Sequence, residues 1–241
     1  MSETFHIISD GSCDLPSSLV QEKNITVVPF YVSFDDEQYL REKVDIDVRD
    51  FYQMMVENKG VYPKSSMPSI QDYEKAFRPF AENDTPVICI CITTKFSGSM
   101  QSALNAKDLV LETYPHARIT VIDATVNTVL QGHYVLEAAS LRDHGFSYRD
   151  AIARLEAIKS TGRIFFTVGN MEYLRHGGRI GKVAALAGGA LDILETGRNL
   201  PFRPRPGTEA HLEKGHVPPS GILAGKCSWG WLLQFCRRIR L

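Results

Sequence analysis

The sequence predicts an α/β protein, a parallel-sheet N-terminal domain with helices on both faces, followed by the opening of a second unit near residue 163. Three observations carry this. Short apolar runs of strand length alternate with stretches of helical periodicity through the first half. The runs at residues 5–9 and 87–92 lack the polar alternation of a half-exposed strand. Asp10, Ser97 and Asp123 follow or close such runs, where open α/β sheets gather their ligands.

In order, residues 5–9 read as a buried strand, followed by a turn over Asp10-Gly11-Ser12-Cys13-Asp14 and a short helix opened by Pro16. Residues 25–34 form a β-branched and aromatic run, and Asp35-Asp36 reads as a hairpin turn returning through Gln38 to Arg41. Helical spacing of Val48, Phe51, Tyr52, Met55 and Val56 marks a helix over 47–58, and Tyr73, Ala76 and Phe77 mark another over 70–80. A strand at 87–92, a helix over 99–113 and a strand at 119–122 come next. Helices over 128–142 and 148–159 are divided by Asp143-His144-Gly145, and 163–168 begins something new.

Length, 44% apolar residues and 23% charged residues describe a soluble globular protein of one large or two ordinary domains. A net charge of −1 removes the basic footprint that nucleic-acid binding calls for. No apolar run is long enough to cross a membrane and the N-terminus lacks a secretion signal, so the expected location is the cytoplasm, with no transmembrane segment. Five cysteines, an odd number, argue against a disulfide framework. Cys89 and Cys91 read as small hydrophobes on one side of a strand; Cys13, in a polar turn, reads as the more reactive thiol but still structural. No metal and no cofactor are expected.

Two hydroxyl-rich turns are the most informative local feature: Lys64-Ser65-Ser66-Met67-Pro68-Ser69 and Phe96-Ser97-Gly98-Ser99-Met100-Gln101-Ser102. Each stands where a helix N-terminus leaves unpaired N–H donors for an acidic group. The plain alternative is capping alone, worth about 1 kcal/mol. Gly98 weighs against it, because glycine weakens a first helical turn and is more useful where a ligand approaches the backbone. Neither Ser65 nor Ser97 has Glu or Gln three residues on to complete a capping box. Common catalytic motifs fail: Gly177 to Lys182 is not a phosphate loop, since Val183 stands where Ser or Thr is needed. A hydrolase or transferase with Ser97 as nucleophile remains the rival of another class, lacking a base that sequence alone ties to it.

Four segments together, Asp10-Gly11-Ser12-Cys13-Asp14-Leu15-Pro16, Ser65-Ser66-Met67-Pro68-Ser69, Phe96-Ser97-Gly98-Ser99-Met100-Gln101-Ser102-Ala103 and Tyr173-Leu174-Arg175-His176-Gly177-Gly178-Arg179-Ile180, resemble the DegV family of bacterial fatty-acid-binding proteins. The resemblance covers residues 4–193. It implies an α/β domain over 1–160, the start of a smaller α+β domain over 161–193, and closure of the two over one long-chain fatty acid, with no enzymatic activity of its own. The implied partner is a separate fatty-acid kinase, to which the chain presents the acid. It also implies carboxylate binding by Ser65 and Ser97, with Ser66, Gly98, Ser99 and Arg179 contributing to the fatty-acid site and no catalytic residue.

The chain departs from the family pattern after residue 193. Residues 194–241 hold five Pro, six Gly and both tryptophans, Trp229 and Trp231, and eight Lys or Arg against three Asp or Glu, whereas the rest is net negative. This stretch is expected to be a divergent tail, poorly ordered or irregularly docked, that does not complete the second domain. A chain that keeps a partial fold and binds nothing is the third expectation left open.

Overall fold

The computed structural model describes residues 4–168, 172–179, 181 and 191–195. In chain order the elements are β1 (His6–Asp10), a single 3-10 turn (Gly11–Cys13), α1 (Ser17–Glu22), β2 (Ile25–Val28), β3 (Tyr31–Ser33), β4 (Leu40–Arg41), α2 (Val48–Glu57), β5 (Lys64–Ser66) and α3 (Ile70–Glu82). Then come β6 (Val87–Cys91), α4 (Ser99–Thr113), β7 (Ile119–Asp123), α5 (Thr128–Asp143), α6 (Tyr148–Ile158), β8 (Ile164–Val168), α7 (Glu172–His176) and β9 (Leu191–Glu195).

The main sheet is parallel throughout, in the order β2-β1-β6-β7. Successive side chains of a strand point to opposite faces, and here both faces are covered. Ile8, Cys89 and Cys91 pack under α3 and α4 with Tyr73, Phe77, Ala103 and Ala106. Ile7, Ile88 and Ile90 pack on the other side against Val135, Ala138, Ala151 and Leu155 of α5 and α6, with Leu19 and Val20 of α1 alongside. Coverage of both faces explains why β1 and β6 are buried at every position, β6 with apolar residues and cysteines throughout and β1 with Ile7 and Ile8 at its centre. The chain leaves β1 toward β2 and then crosses to β6 on the other side. The order therefore reverses between β1 and β6, which sets a crevice beyond Asp10 and Ile92.

Two differences from the sequence reading bear on the site. The run at 25–34 is two strands in two sheets: β2 is an edge of the parallel sheet, while β3 lies in a three-stranded antiparallel sheet of order β4-β3-β5. Pro29 stands between them, and a residue without an N–H is a natural break in a ladder. Residues 64–66, expected as part of a turn, form β5, which pairs Ser65 with Val32 and Ser66 with Tyr31. Capping of α3 falls instead to Ser69, whose hydroxyl accepts the Asp72 N–H while Asp72 accepts the Ser69 N–H. Asp72 also accepts from the Tyr31 hydroxyl at 3.0 Å, joining the cap to the small sheet. Ser69→Ala is expected to lower stability by about 1 kcal/mol, read from thermal or urea melting, with no direct effect on ligand contacts.

The segment from residue 164 forms its own two-stranded parallel sheet, in which Ile164 to Val168 pair in register with Leu191 to Glu195. Strand β9 thus continues two residues beyond the expected break after residue 193. The remaining expectation for the tail, Trp229 and Trp231 included, lies outside the described residues. Tyr173 of α7 packs against Val32, Phe51 and Met55, and His176 stacks on Tyr62 with ring centroids 3.8 Å apart. The Tyr62 hydroxyl donates to Glu172 at 3.0 Å. So α7 is held against the chain that leads into β5.

Candidate fatty-acid site at the switch point

Asp10, the last residue of β1, is 0% exposed. One carboxylate oxygen accepts from the Ile92 N–H at 2.9 Å and the Ser99 hydroxyl at 2.8 Å; the other accepts from the Gln131 side-chain amide at 2.8 Å. Burial pushes the carboxyl pKa above its ordinary value, and these donors offset only part of that rise. Tyr73 lies 2.7 Å from the Ser99 oxygen. A serine has a single proton, and that of Ser99 goes to Asp10, so Tyr73 donates and Ser99 accepts. The line Tyr73 to Ser99 to Asp10 to Ile92 therefore joins α3, α4, β1 and the end of β6.

The loop between β6 and α4 is pinned on its other side as well. Asp123 accepts from the Thr94 hydroxyl at 2.8 Å and from the Thr125 N–H at 2.7 Å, and the Thr93 N–H donates to the Val126 carbonyl at 3.1 Å. Ser97 sits half-buried on this loop, its oxygen accepting the Ser99 N–H at 3.2 Å. A hydroxyl that accepts in this way keeps its own proton for an external acceptor. The N-cap of α4 is Gly98, which has no side chain to cap with, and Ser97 accepts the first N–H of the helix in its place.

Gly98 has an ordinary helical-side backbone, so its small size answers a neighbour and not a special φ. A Cβ built there would come 2.8 Å from the Met67 sulfur. Met67, 43% exposed, belongs to the first hydroxyl-rich turn. The two turns singled out in the sequence thus meet at Met67 and Gly98. Ser65 is half-buried in β5, and alternation along the strand puts exposed Ser66 on the opposite face with Lys64, which is paired with Asp36. Ser65 and Ser66 therefore cannot face one ligand together. Ser99 is also redirected. Fully buried and donating to Asp10, its hydroxyl has no proton left for a fatty-acid carboxylate. Arg179 is half-buried beyond α7, its guanidinium donating to the Gly177 carbonyl at 2.6 Å.

Cys13 is buried and its thiol pKa is pushed up to about 12 by desolvation, which keeps it protonated and makes it an unreactive packing group. Cys89 and Cys91 lie on one face, their sulfurs 3.8 Å apart in the core under α3 and α4. His6, with a pKa lowered to about 4 by burial, stands at the opposite end of β1 from the Ser97 loop. Among the described residues no group of three or more His, Cys, Asp or Glu could hold a metal ion. No helix among them is long and apolar enough to cross a membrane. Sequence reasoning missed Tyr73, Gln131 and Met67. The first two read as ordinary helix residues, and nothing local to any of the three announces its long-range partner.

The DegV family model, described as an uncharacterised protein of that family, matches residues 4–195. The chain belongs to the DegV family. A DegV domain-containing protein of Clostridium acetobutylicum is 35% identical over 188 residues, 78% of this chain and 65% of the relative. A solved fatty acid (stearic acid)-binding protein of Eubacterium ventriosum is 47% identical with a TM-score of 0.72, covering 74% of this chain and 61% of that one. A second solved structure, described as fatty acid binding of a DegV family protein from Thermus thermophilus, is 30% identical with a TM-score of 0.65, covering 77% and 64%. The matched part of the chain thus spans slightly less than two thirds of these DegV relatives.

Proposed function

We propose that this DegV-family chain is a non-enzymatic cytoplasmic carrier of a long-chain fatty acid, holding the carboxylate with the hydroxyls of Ser65 and Ser97. The observation that carries this reading is the contact of Met67 with Gly98, which joins the two serine turns beyond the switch point of the parallel sheet. The solved relatives described as binding fatty acids agree with it. Gly98, which is exposed, leaves room for the carboxylate to approach the turn, and Arg179 supplies positive charge from the second unit. Ser66 serves the site through β5 pairing and Ser99 through Asp10, neither by direct contact.

The proposed acyl cleft lies between the domain of residues 1–160 and the unit that starts at 161. Each buried methylene contributes about 0.8 kcal/mol, whereas a charge-assisted hydrogen bond contributes about 1.5–3 kcal/mol net. Affinity therefore comes mainly from the acyl chain, and the serines set its orientation. Ser97 accepts a hydrogen bond from an N–H and, among the described residues, none that could act as a base is bonded to it, which favours holding an anion over attacking an ester. A carrier that exposes a carboxylate at a sheet switch point suits presentation to a fatty-acid kinase, the partner in this reading.

The test is organic extraction of the purified protein followed by mass spectrometry. A near-stoichiometric long-chain fatty acid is expected. Its absence from protein whose circular dichroism reports an intact fold overturns the carrier reading.

A further inference from the structure

We infer that the buried line Tyr73, Ser99 and Asp10 is a positioning device that makes the head-group site select a carboxylate over a neutral polar head. The inference rests on the fatty-acid reading above. All three side chains are fully buried, so their bonds do not compete with solvent. Tyr73 is one turn into α3, directly after the stretch from Ser65 to the Ser69 cap; Ser99 is the first residue of α4, directly after Ser97 and Gly98. The two bonds of 2.7 and 2.8 Å therefore link the N-terminal ends of the two helices that follow the serine turns, and anchor both to the end of β1.

With Asp10 ionised, the donors around it set the order of the protons. The Ile92 N–H and the Gln131 amide can only donate to Asp10, the Ser99 proton goes to the same carboxylate, and Tyr73 must supply the remaining donor. The Tyr73 oxygen also lies 3.5 Å from the Cys91 sulfur, so the whole line is enclosed by protein and its short bonds hold the two helix starts in one arrangement. Selecting a carboxylate needs two donors at a set separation. A neutral head group that accepts a single hydrogen bond does not need it. Tyr73, Ser99 and Asp10 touch no ligand themselves and act through the placement of Ser65 and Ser97.

The experiment compares displacement of a fluorescent fatty acid by palmitic acid and by hexadecanol, which share a chain and differ in the head group. Wild-type protein is expected to prefer the acid. Ser99→Ala cuts the line in the middle yet keeps the main-chain N–H that Ser97 accepts, and is expected to lower acid affinity about tenfold with alcohol affinity unchanged. Tyr73→Phe cuts it at the far end with a smaller change of shape, is expected to shift the same ratio in the same direction, and decides the matter if Ser99→Ala does not fold. Equal losses for acid and alcohol, or an unchanged acid affinity, overturn the positioning role. Wild-type protein that binds neither compound overturns the carrier reading instead.

Discussion

Removing both proposed carboxylate donors in the double variant Ser65→Ala/Ser97→Ala is expected to weaken fatty-acid binding about a hundredfold, measured by displacement of a fluorescent fatty acid. A hydrogen bond to a charged group contributes about 1.5–3 kcal/mol, and 1.4 kcal/mol is tenfold, so two bonds that share one anion amount to about 3 kcal/mol. Stability should change by about 1 kcal/mol or less, because Ser69 caps α3 and the only helix N–H at stake is that of Ser99, which Ser97 accepts at 3.2 Å. Affinity that stays at the wild-type value while the melting temperature falls would return both serines to a local structural role. In the proposed fatty-acid reading the acyl chain contributes far more to affinity than the head group, at about 0.8 kcal/mol per buried methylene. Residual binding of the double variant is therefore part of the expectation.

The largest expected effect on stability is at Gly132. A Cβ there would lie 2.2 Å from the Cys13 carbonyl oxygen and 3.1 Å from a Leu15 methyl. The obstacle is backbone, in the turn directly after Asp10, and cannot rotate away as a side chain would. Overpacking typically costs 1–3 kcal/mol, and a backbone wall puts Gly132→Ala at the upper end, about 3 kcal/mol. The strain falls between α5 and the 3-10 turn, next to the Gln131 amide that donates to Asp10. Urea unfolding should therefore show a lower midpoint at an unchanged slope. A wild-type midpoint would mean that α5 does not sit this close to the turn.

Local periodicity made most of the helices legible. The expected span 99–113 is α4 to the residue, and residues 47 and 58 prove to be the caps of α2. These follow from apolar spacing and cap chemistry within a few residues, information a single segment contains. The short strands were harder. β5 has three residues, one of them half-buried and two exposed, and exists because β3 offers it a partner across the small sheet. A segment that short has no period to read.

The sequence by itself determined a parallel α/β domain, the family and the two serine turns as the place to look, because strand runs, helix periods and turn residues are local patterns. Only the tertiary structure decided what each serine does. Ser97 and Ser99 are two residues apart and chemically identical, yet one accepts a main-chain N–H on a half-buried loop and the other donates its proton to Asp10, 89 positions away in the chain. Gly98 likewise answers Met67 across the site. A hydroxyl is committed by whichever buried acceptor lies within reach, and folding alone brings residues so distant in sequence to 2.8 Å.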